Sequence, residues 1–423
     1  MHGKRDGAHL CEGTATMSGT TYDAIVVGLG AMGAGATYQL ARRGARVLGL
    51  DMYPLGHDRG SSHGHHRMIR RSAYRPEIDH MAARAFDLWR ELEAESGRNI
   101  LNLIGEVSLF DPRASQRQLR RRAHALEQGN GHVPADFARS PAHPLPRSDY
   151  DFTMGGRREL LDEAALRERF PGFRLHDGMI ATHEADAGFL RPEVGVAAHL
   201  EVAARHGATI RRPETVTGWQ TDGSGVAVTT PTGTYRADRL ILAAGPWSAE
   251  LLADLGLPLQ VVRIVNAYFA PARPDRWTSE RGAPDFLLTV PEGSFYGMPS
   301  IEGVGLKIGR HDDGEPTTAR TIRRDVDEAE IAELRDVLDR YMPGASGPVT
   351  QVITCMYTMT PDEQYITESH PAHPQVVYGC GCSGTSYKFS GVIGEMLADL
   401  ALTGTTSYDM TFISSARFAP APA

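Results

Sequence analysis

The stretch Ala24-Ile25-Val26-Val27-Gly28-Leu29-Gly30-Ala31-Met32-Gly33 runs an apolar strand straight into three glycines at the spacing a dinucleotide pyrophosphate requires. Gly28 permits the tight turn, Gly30 lets phosphate approach the backbone, and Gly33 lets the following helix pack closely on the strand. The amides of Ala31 and Met32 then open that helix and face the anion. Ala34 to Arg43 reads as the helix, Gly44 as its stop, and Arg46 to Leu50 as a second strand ending at Asp51, placed to accept a ribose hydroxyl. Strand, glycines, helix, strand and acid in that order predict a βαβ nucleotide site. The motif serves NAD and FAD alike and leaves the choice between them open.

The 423 residues are enough for two or three domains, and 41% hydrophobic with 23% charged residues is ordinary for a globular protein. No apolar run approaches a membrane span. The net charge of −8, with Arg used far more than Lys, gives no basic nucleic-acid surface. Four cysteines (Cys11, Cys355, Cys380 and Cys382) do not make a disulfide framework and fit a reducing cytoplasm. Residues 1–20 lack the apolar core of a signal peptide and read as a disordered extension, with Met17 a plausible start; residues 416–423 read as a loose tail.

Along the chain, Glu77 to Ser96 is amphipathic and predicts a long helix, and Asn102 to Phe110 predicts a strand. Gln116 to Gln128 and Glu163 to Arg169 read as surface helices around an irregular loop from His132 to Arg147, and Pro192 to Arg205 reads as a further helix. Short strands follow near Thr215 to Gln220, Val226 to Thr230 and Thr234 to Arg236. Leu240 to Gly245 then reads as a buried strand whose Ala244-Gly245 end, followed by Trp247, brings backbone close to something flat or anionic. Beyond it, Leu259 to Phe269, Asp285 to Val290, Ser294 to Met298 and Gly305 to Gly309 predict an antiparallel sheet, followed by a helix from Asp325 to Tyr341. A last strand, Val376 to Gly381, opens through glycines into a final helix from Val392 to Leu402.

Three polar segments could carry chemistry. Gly60-Ser61-Ser62-His63-Gly64-His65-His66-Arg67-Met68-Ile69-Arg70 places Arg67 and Arg70 three apart, where one helical turn would align them toward an anion. Its histidines have no acid or Cys at ligand spacing, so no metal is expected. Cys355, read as following a strand from Val349 to Thr354, is a thiolate nucleophile if a neighbouring cation lowers its pKa and otherwise a buried hydrophobe. Gly381, Ser383, Gly384 and Thr385 precede a helix and suit a cofactor approach.

These stretches together resemble the monomeric sarcosine oxidase and N-methyltryptophan oxidase family of flavoprotein amine oxidases, from Tyr22 to about Phe412. The resemblance rests on Gly28 to Asp51, Gly60 to Arg70, Tyr296-Gly297-Met298-Pro299, Gly305 to His311, Cys355-Met356-Tyr357-Thr358, and Ser383-Gly384 with Lys388-Phe389-Ser390. It implies an α/β fold, in which a Rossmann-like FAD-binding domain (residues 21–100, 180–258 and 345–415) interleaves with an α+β substrate domain carrying a mixed, largely antiparallel sheet (residues 101–179 and 259–344). It implies FAD bound by Gly28, Gly30, Ala31, Met32, Gly33, Asp51, Ser61, Ser62, His63, Arg67, Ala244, Gly245, Trp247, Gly381, Ser383, Gly384, Thr385 and Lys388. It also implies covalent attachment at the flavin 8α position through Cys355. Lys307 would activate oxygen, Arg70 and Lys388 would bind the substrate carboxylate, and Tyr296, Tyr357 and His311 would line the substrate cavity. The implied reaction oxidises an amine carrying a carboxylate to an imine and reduces O2 to H2O2, in a monomer or weak homodimer without nucleic-acid or membrane partners.

Two departures leave the substrate open among sarcosine-like, N-methyltryptophan-like and cyclic amino acids. His65-His66 replace the family's usual Asp-Thr, and Gly384-Thr385-Ser386 replace its Gly-His-Gly. Competing readings are an FAD-dependent dehydrogenase or D-amino acid oxidase relative without the covalent bond, a non-catalytic flavin-binding subunit, and an NAD-dependent dehydrogenase.

Overall fold

The computed structural model describes residues 21–72, 76–114 and 157–418. The expected helix from Gln116 to Gln128, the loop from His132 to Arg147, the N-terminal extension and the last residues of the tail lie outside that range. Among the described residues no helix is long and apolar enough to cross a membrane.

The strand Tyr22–Val27 is buried on both faces, which explains its unbroken apolar run. Ala24 and Val26 face one core, with Tyr38, Leu40, Trp89 and Leu397 from the helices, while Ile25 and Val27 face another with Leu48, Leu50 and Val228. Its parallel neighbours are Val47–Leu50 and Gly233–Leu242; Thr209–Arg211 and His373–Cys380 extend the parallel set. Gly218–Asp222, Gly225–Thr230 and Ile366–His370 complete eight strands. The helices Ala31–Arg42 and Ser390–Thr403 touch backbone to backbone, because a Cβ on Gly35 would stand 2.5 Å from the Ser390 carbonyl oxygen.

The second sheet has nine strands. Gln260–Phe269 pairs with Leu306–Arg310, Glu315–Thr317 and Val349–Met359, and the sheet continues through Gly293–Met298, Asp285–Val290, Glu106–Phe110, Ile180–Glu184 and Glu159–Leu161. All pairings are antiparallel except Glu106–Phe110 with Asp285–Val290. One face, carrying Val107, Leu109, Phe286, Leu288, Phe295 and Ile308, packs on the helix Glu328–Tyr341. That helix begins with a capping box between Asp327 and Glu330. The alternate residues of the same strands therefore face the first sheet, and the site lies between the two.

Several boundaries differ from expectation. The single strand expected over Asn102 to Phe110 breaks before Glu106; Leu101–Leu103 joins Arg67–Ile69 and Gly188–Leu190 in a small third sheet. The two strands expected near Thr234 and Leu240 are one, Gly233–Leu242, because its N-terminal half pairs with Gly225–Thr230 and its C-terminal half with the parallel core. Cys355 does not follow a strand but sits inside Val349–Met359, opposite Ile264. That strand and Ile180–Glu184, both expected in the nucleotide unit, pair in the second sheet. Arg67 lies on a strand, not a helical turn.

Candidate active site

A cavity of about 1050 Å³ runs from the first sheet's glycine turn to the second sheet's polar face. At one end the glycines act as their spacing predicts. Gly28 has φ +87°, and a Cβ there would come within 2.5 Å of the Ala243 carbonyl oxygen. A Cβ on Gly33 would stand 1.7 Å from the Gly28 oxygen, so this residue packs helix on turn and does not line the cavity. At Gly30 the wall stays open, with only Ser62 Oγ near, and the Ala31 amide donates to that oxygen at 3.0 Å. Met32, Ala244, Gly245 and Trp247 line the same end.

Asp51 is not the free acceptor the spacing suggests. Its Oδ2 accepts from the Leu29 amide at 2.7 Å and from Arg212 Nη2 at 3.0 Å, while Oδ1 accepts from the Tyr53 amide at 2.9 Å. Arg212, which no motif announces, is fixed further by the Leu29 carbonyl at 2.8 Å. Its Nε and Nη1 are buried at the cavity wall and have no hydrogen-bond partner among the described residues.

The other end is cationic. Arg67 donates to the carbonyls of Ser61 (3.2 Å), His63 (2.6 Å) and His66 (3.1 Å), so the Ser61 to His66 loop wraps one guanidinium. Burial opposes its charge, but Cys355, Tyr296, Tyr268 and Tyr357 offset that and hold its pKa above the ordinary arginine value. His63 shares a hydrogen bond of 3.2 Å with the Thr354 carbonyl; burial, helped by Arg67, pushes its pKa down to about 4 and keeps it neutral. Cys355 lines the cavity and accepts a weak contact from Asn266 Nδ2 at 3.5 Å. Tyr357 donates to Tyr296 at 3.0 Å and Tyr296 to Asn266 Oδ1 at 2.8 Å, a relay ending beside the thiol. Burial raises both phenols above their usual range, so they stay neutral. His311 stands over both rings at centroid distances of 6.2 and 5.5 Å.

The chain has only three lysines, and two of them are here, Lys307 buried and Lys388 half-buried. Lys307 does not line the cavity; its Nζ donates to the His66 carbonyl at 3.2 Å and lies 5.3 Å from the Tyr296 ring centre, behind residues that do. Burial, then Arg67, lowers its pKa to about 7. Lys388 donates to the Thr385 carbonyl at 2.7 Å, and burial followed by Arg70 lowers it to about 7 as well. Arg70 and Lys388 thus crowd two cations at one wall, with Glu184 the nearby acid. Two cations so placed have the chemistry to hold an anion.

Gly381, Gly384 and Thr385 line the cavity. At Gly384, φ +72°, a Cβ would meet the Tyr357 ring at 2.5 Å. Ser383 is a correction: it is fully buried and its hydroxyl is spent inside the turn, donating to the Gly381 carbonyl at 2.9 Å and accepting from the Thr360 amide at 3.1 Å. Within the two departures, Ser386 and His66 also turn inward, whereas Thr385 lines the cavity and His65 is exposed. Ser386 donates to the Cys382 carbonyl at 2.9 Å, and His66 contributes its carbonyl to Lys307 and Arg67 while its ring packs on Phe189. Burial, then Lys307, drives His66 down to about 3.

The chain matches the FAD dependent oxidoreductase family over residues 23–400. It belongs to that family. It is 36% identical over 408 residues to the monomeric sarcosine oxidase of Streptomyces avermitilis, covering 95% of this chain and 99% of that one. It is 32% identical over 401 residues to the N-methyl-L-tryptophan oxidase of Salmonella heidelberg, covering 94% and 99%. Among solved structures it resembles the open form of NikD, an unusual amino acid oxidase essential for nikkomycin biosynthesis, with TM-score 0.74, 25% identity and 93% and 97% coverage.

The residues present fit the family's cofactor. The helix start at Gly30, which supplies no side-chain cap of its own, suits a pyrophosphate, and the Nε and Nη1 of Arg212, unpartnered among the described residues, suit oxygen or nitrogen acceptors of an adenosine. Sequence reasoning missed Arg212 because it follows an ordinary strand. It missed Asn266 and Arg158 because their partners lie far away in the chain. Arg158 is held by Glu106, Glu184, Ser108 and Thr182 on the second sheet's cavity face.

Proposed function

We propose that this protein oxidises the C–N bond of a secondary or N-methyl amino acid to an imine, with O2 as acceptor and H2O2 as product. The observation that carries this reading is the pairing of Arg70 with Lys388 in the same cavity as Cys355 and the Arg67 loop. The sarcosine and N-methyl-L-tryptophan oxidases among its relatives support it.

Bound FAD supplies the two-electron oxidation and the transfer of those electrons to oxygen. Gly28 to Met32 and Arg212 would hold its ADP portion, and Ser61, Ser62 and Arg67 its flavin side. Cys355 would tether the ring at the 8α position. Arg70 and Lys388 bind the substrate carboxylate and so set which face of the amine is presented. The surplus positive charge of Arg70, Lys388 and Lys307 lowers the proton affinity of a bound amine, favouring the free base that can be oxidised. Tyr296, Tyr357 and His311 wall the amine substituents. Lys307, dry and behind Tyr296, is placed to stabilise negative charge developing on oxygen.

The test is peroxide formation by the purified yellow protein across sarcosine, N-methyl, cyclic and primary amino acids. Activity confined to carboxylated secondary amines is expected, and silence on every amine contradicts the proposal. Acid precipitation tests the tether: colour staying with the pellet is expected, and colour left in the supernatant removes Cys355 from that role.

A further inference from the structure

The cavity-facing side of the second sheet carries a row of buried ionisable side chains. Register pairs Glu184 with Glu106 and Glu106 with Asp285, sets Asp285 beside Met298, and pairs Met298 with Lys307. Glu106 is matched by Arg158 at 2.5 Å. Glu184 accepts from Arg158 at 3.3 Å and from the amides of Arg71 and Ser72 at 2.6 and 2.9 Å. Asp285 is fully buried, and neither carboxyl oxygen has a hydrogen-bond partner among the described residues. A buried carboxyl left unpartnered costs stability and calls for an explanation in function.

The groups around Lys307 supply one. From the Arg67–Ile69 strand comes Arg67, from the loop before it His66, from the neighbouring strands Tyr268 and Tyr296, and from Val349–Met359 Cys355. Arg67 repels the ammonium; Cys355 and Asp285 favour it. Once a thiol is spent in a thioether it carries no charge, which leaves Asp285 as the acid acting on Lys307.

We propose that Asp285 is a positioning residue for Lys307, a carboxyl two strands away on the same sheet face that favours the charged lysine in a site otherwise dominated by Arg67. The coupling is electrostatic: charge on the Asp285 carboxylate favours the Lys307 ammonium across the intervening Met298, with no bond made or broken and no electron moved. Burial and Glu106 raise the proton affinity of Asp285 while Lys307 lowers it, and Asp285 in turn raises that of Lys307 against burial and Arg67. The inference rests on the roles proposed for Lys307 and for the Cys355 tether.

The test uses the holoenzyme with lysine-selective carbon labelling, since only Lys4, Lys307 and Lys388 report. In Asp285→Asn the titration midpoint of Lys307 should fall from about 7 by roughly one pH unit or more, a tenfold loss of proton affinity. Lys388 should stay in place as the internal control. The pH at which flavin reoxidation slows should fall equally, with anaerobic reduction by substrate unchanged. Asp285→Leu removes the unpartnered acid altogether; it should leave the melting temperature unchanged or higher and give the same shift. An unmoved Lys307 midpoint in both variants, or a lowered melting temperature without any shift, overturns the proposal. Failure of the underlying reading looks different: Lys307→Met would then reoxidise normally whatever Asp285 does.

Discussion

The two ends of the cavity are built differently. The end at Gly28 is made of backbone, with one short stretch of chain supplying turn, helix amides and Asp51, and its selectivity lies in what a Cβ would obstruct. The end at Cys355 is made of side chains from segments as distant as Arg67 and Lys388, and its character is electrostatic, with half-buried Arg67, Arg70 and Lys388 at the wall and buried Lys307 behind it. Backbone cradles tolerate a change of side chain around them. A cluster of crowded cations does not, because each member alters the proton affinity of the next.

Removing Lys307 should break this contrast most sharply. Lys307→Met should slow reoxidation of the reduced enzyme by about 10² to 10³-fold, the scale for losing one preorganised charge-stabilising donor, while anaerobic reduction by substrate keeps its rate in stopped-flow. Equal loss in both half-reactions would take oxygen activation away from it. Next, Arg70→Ala should cost about 2–3 kcal/mol in kcat/KM, roughly 30- to 150-fold, for carboxylated amines and little for uncharged ones. A uniform loss would remove Arg70 from the carboxylate site.

At the backbone end, Arg212→Met in a Cys355→Ser background should weaken FAD binding about tenfold, with FMN binding unaffected because it lacks the adenosine. Lys388 gives a pH effect. Its proton is lost as pH rises through about 7, so the affinity of a simple carboxylate without an amine should be highest below that pH and fall above it. In Lys388→Met the affinity of that carboxylate should be flat across the range. The smallest effect is expected at Ser386. Because its hydroxyl is spent on the Cys382 carbonyl, Ser386→Ala should leave substrate preference within about twofold and cost only the ~1 kcal/mol of one hydrogen bond in stability.

The same contrast explains what could be read from the sequence. The βαβ unit was legible because its glycines, helix and acid are local and periodic, and the structure keeps their order with boundaries shifted by a few residues at most. The antiparallel strands were legible from alternation. Cys355 was placed after a strand because its polar neighbours look loop-like, whereas both faces of Val349–Met359 are used, one side toward the cavity. Arg67 and Arg70 drew attention as polar residues in a motif, but the carbonyl wrap around Arg67 depends on chain reversal that no spacing encodes. Asp51 was legible as an acid at a strand end and its partner Arg212 was not, since their contact spans 161 positions. Ser383 shared a motif with true wall residues but turns into the loop, a difference set by one positive φ of 47°.

The most direct test of the central claim is anaerobic mixing of the purified flavoprotein with sarcosine and a series of larger N-methyl and cyclic amino acids, followed by admission of air. The account predicts that at least one carboxylated secondary amine bleaches the flavin band, and that air restores it with one H2O2 formed per flavin. A flavin that no such amine bleaches, or that bleaches and returns without peroxide, would contradict it.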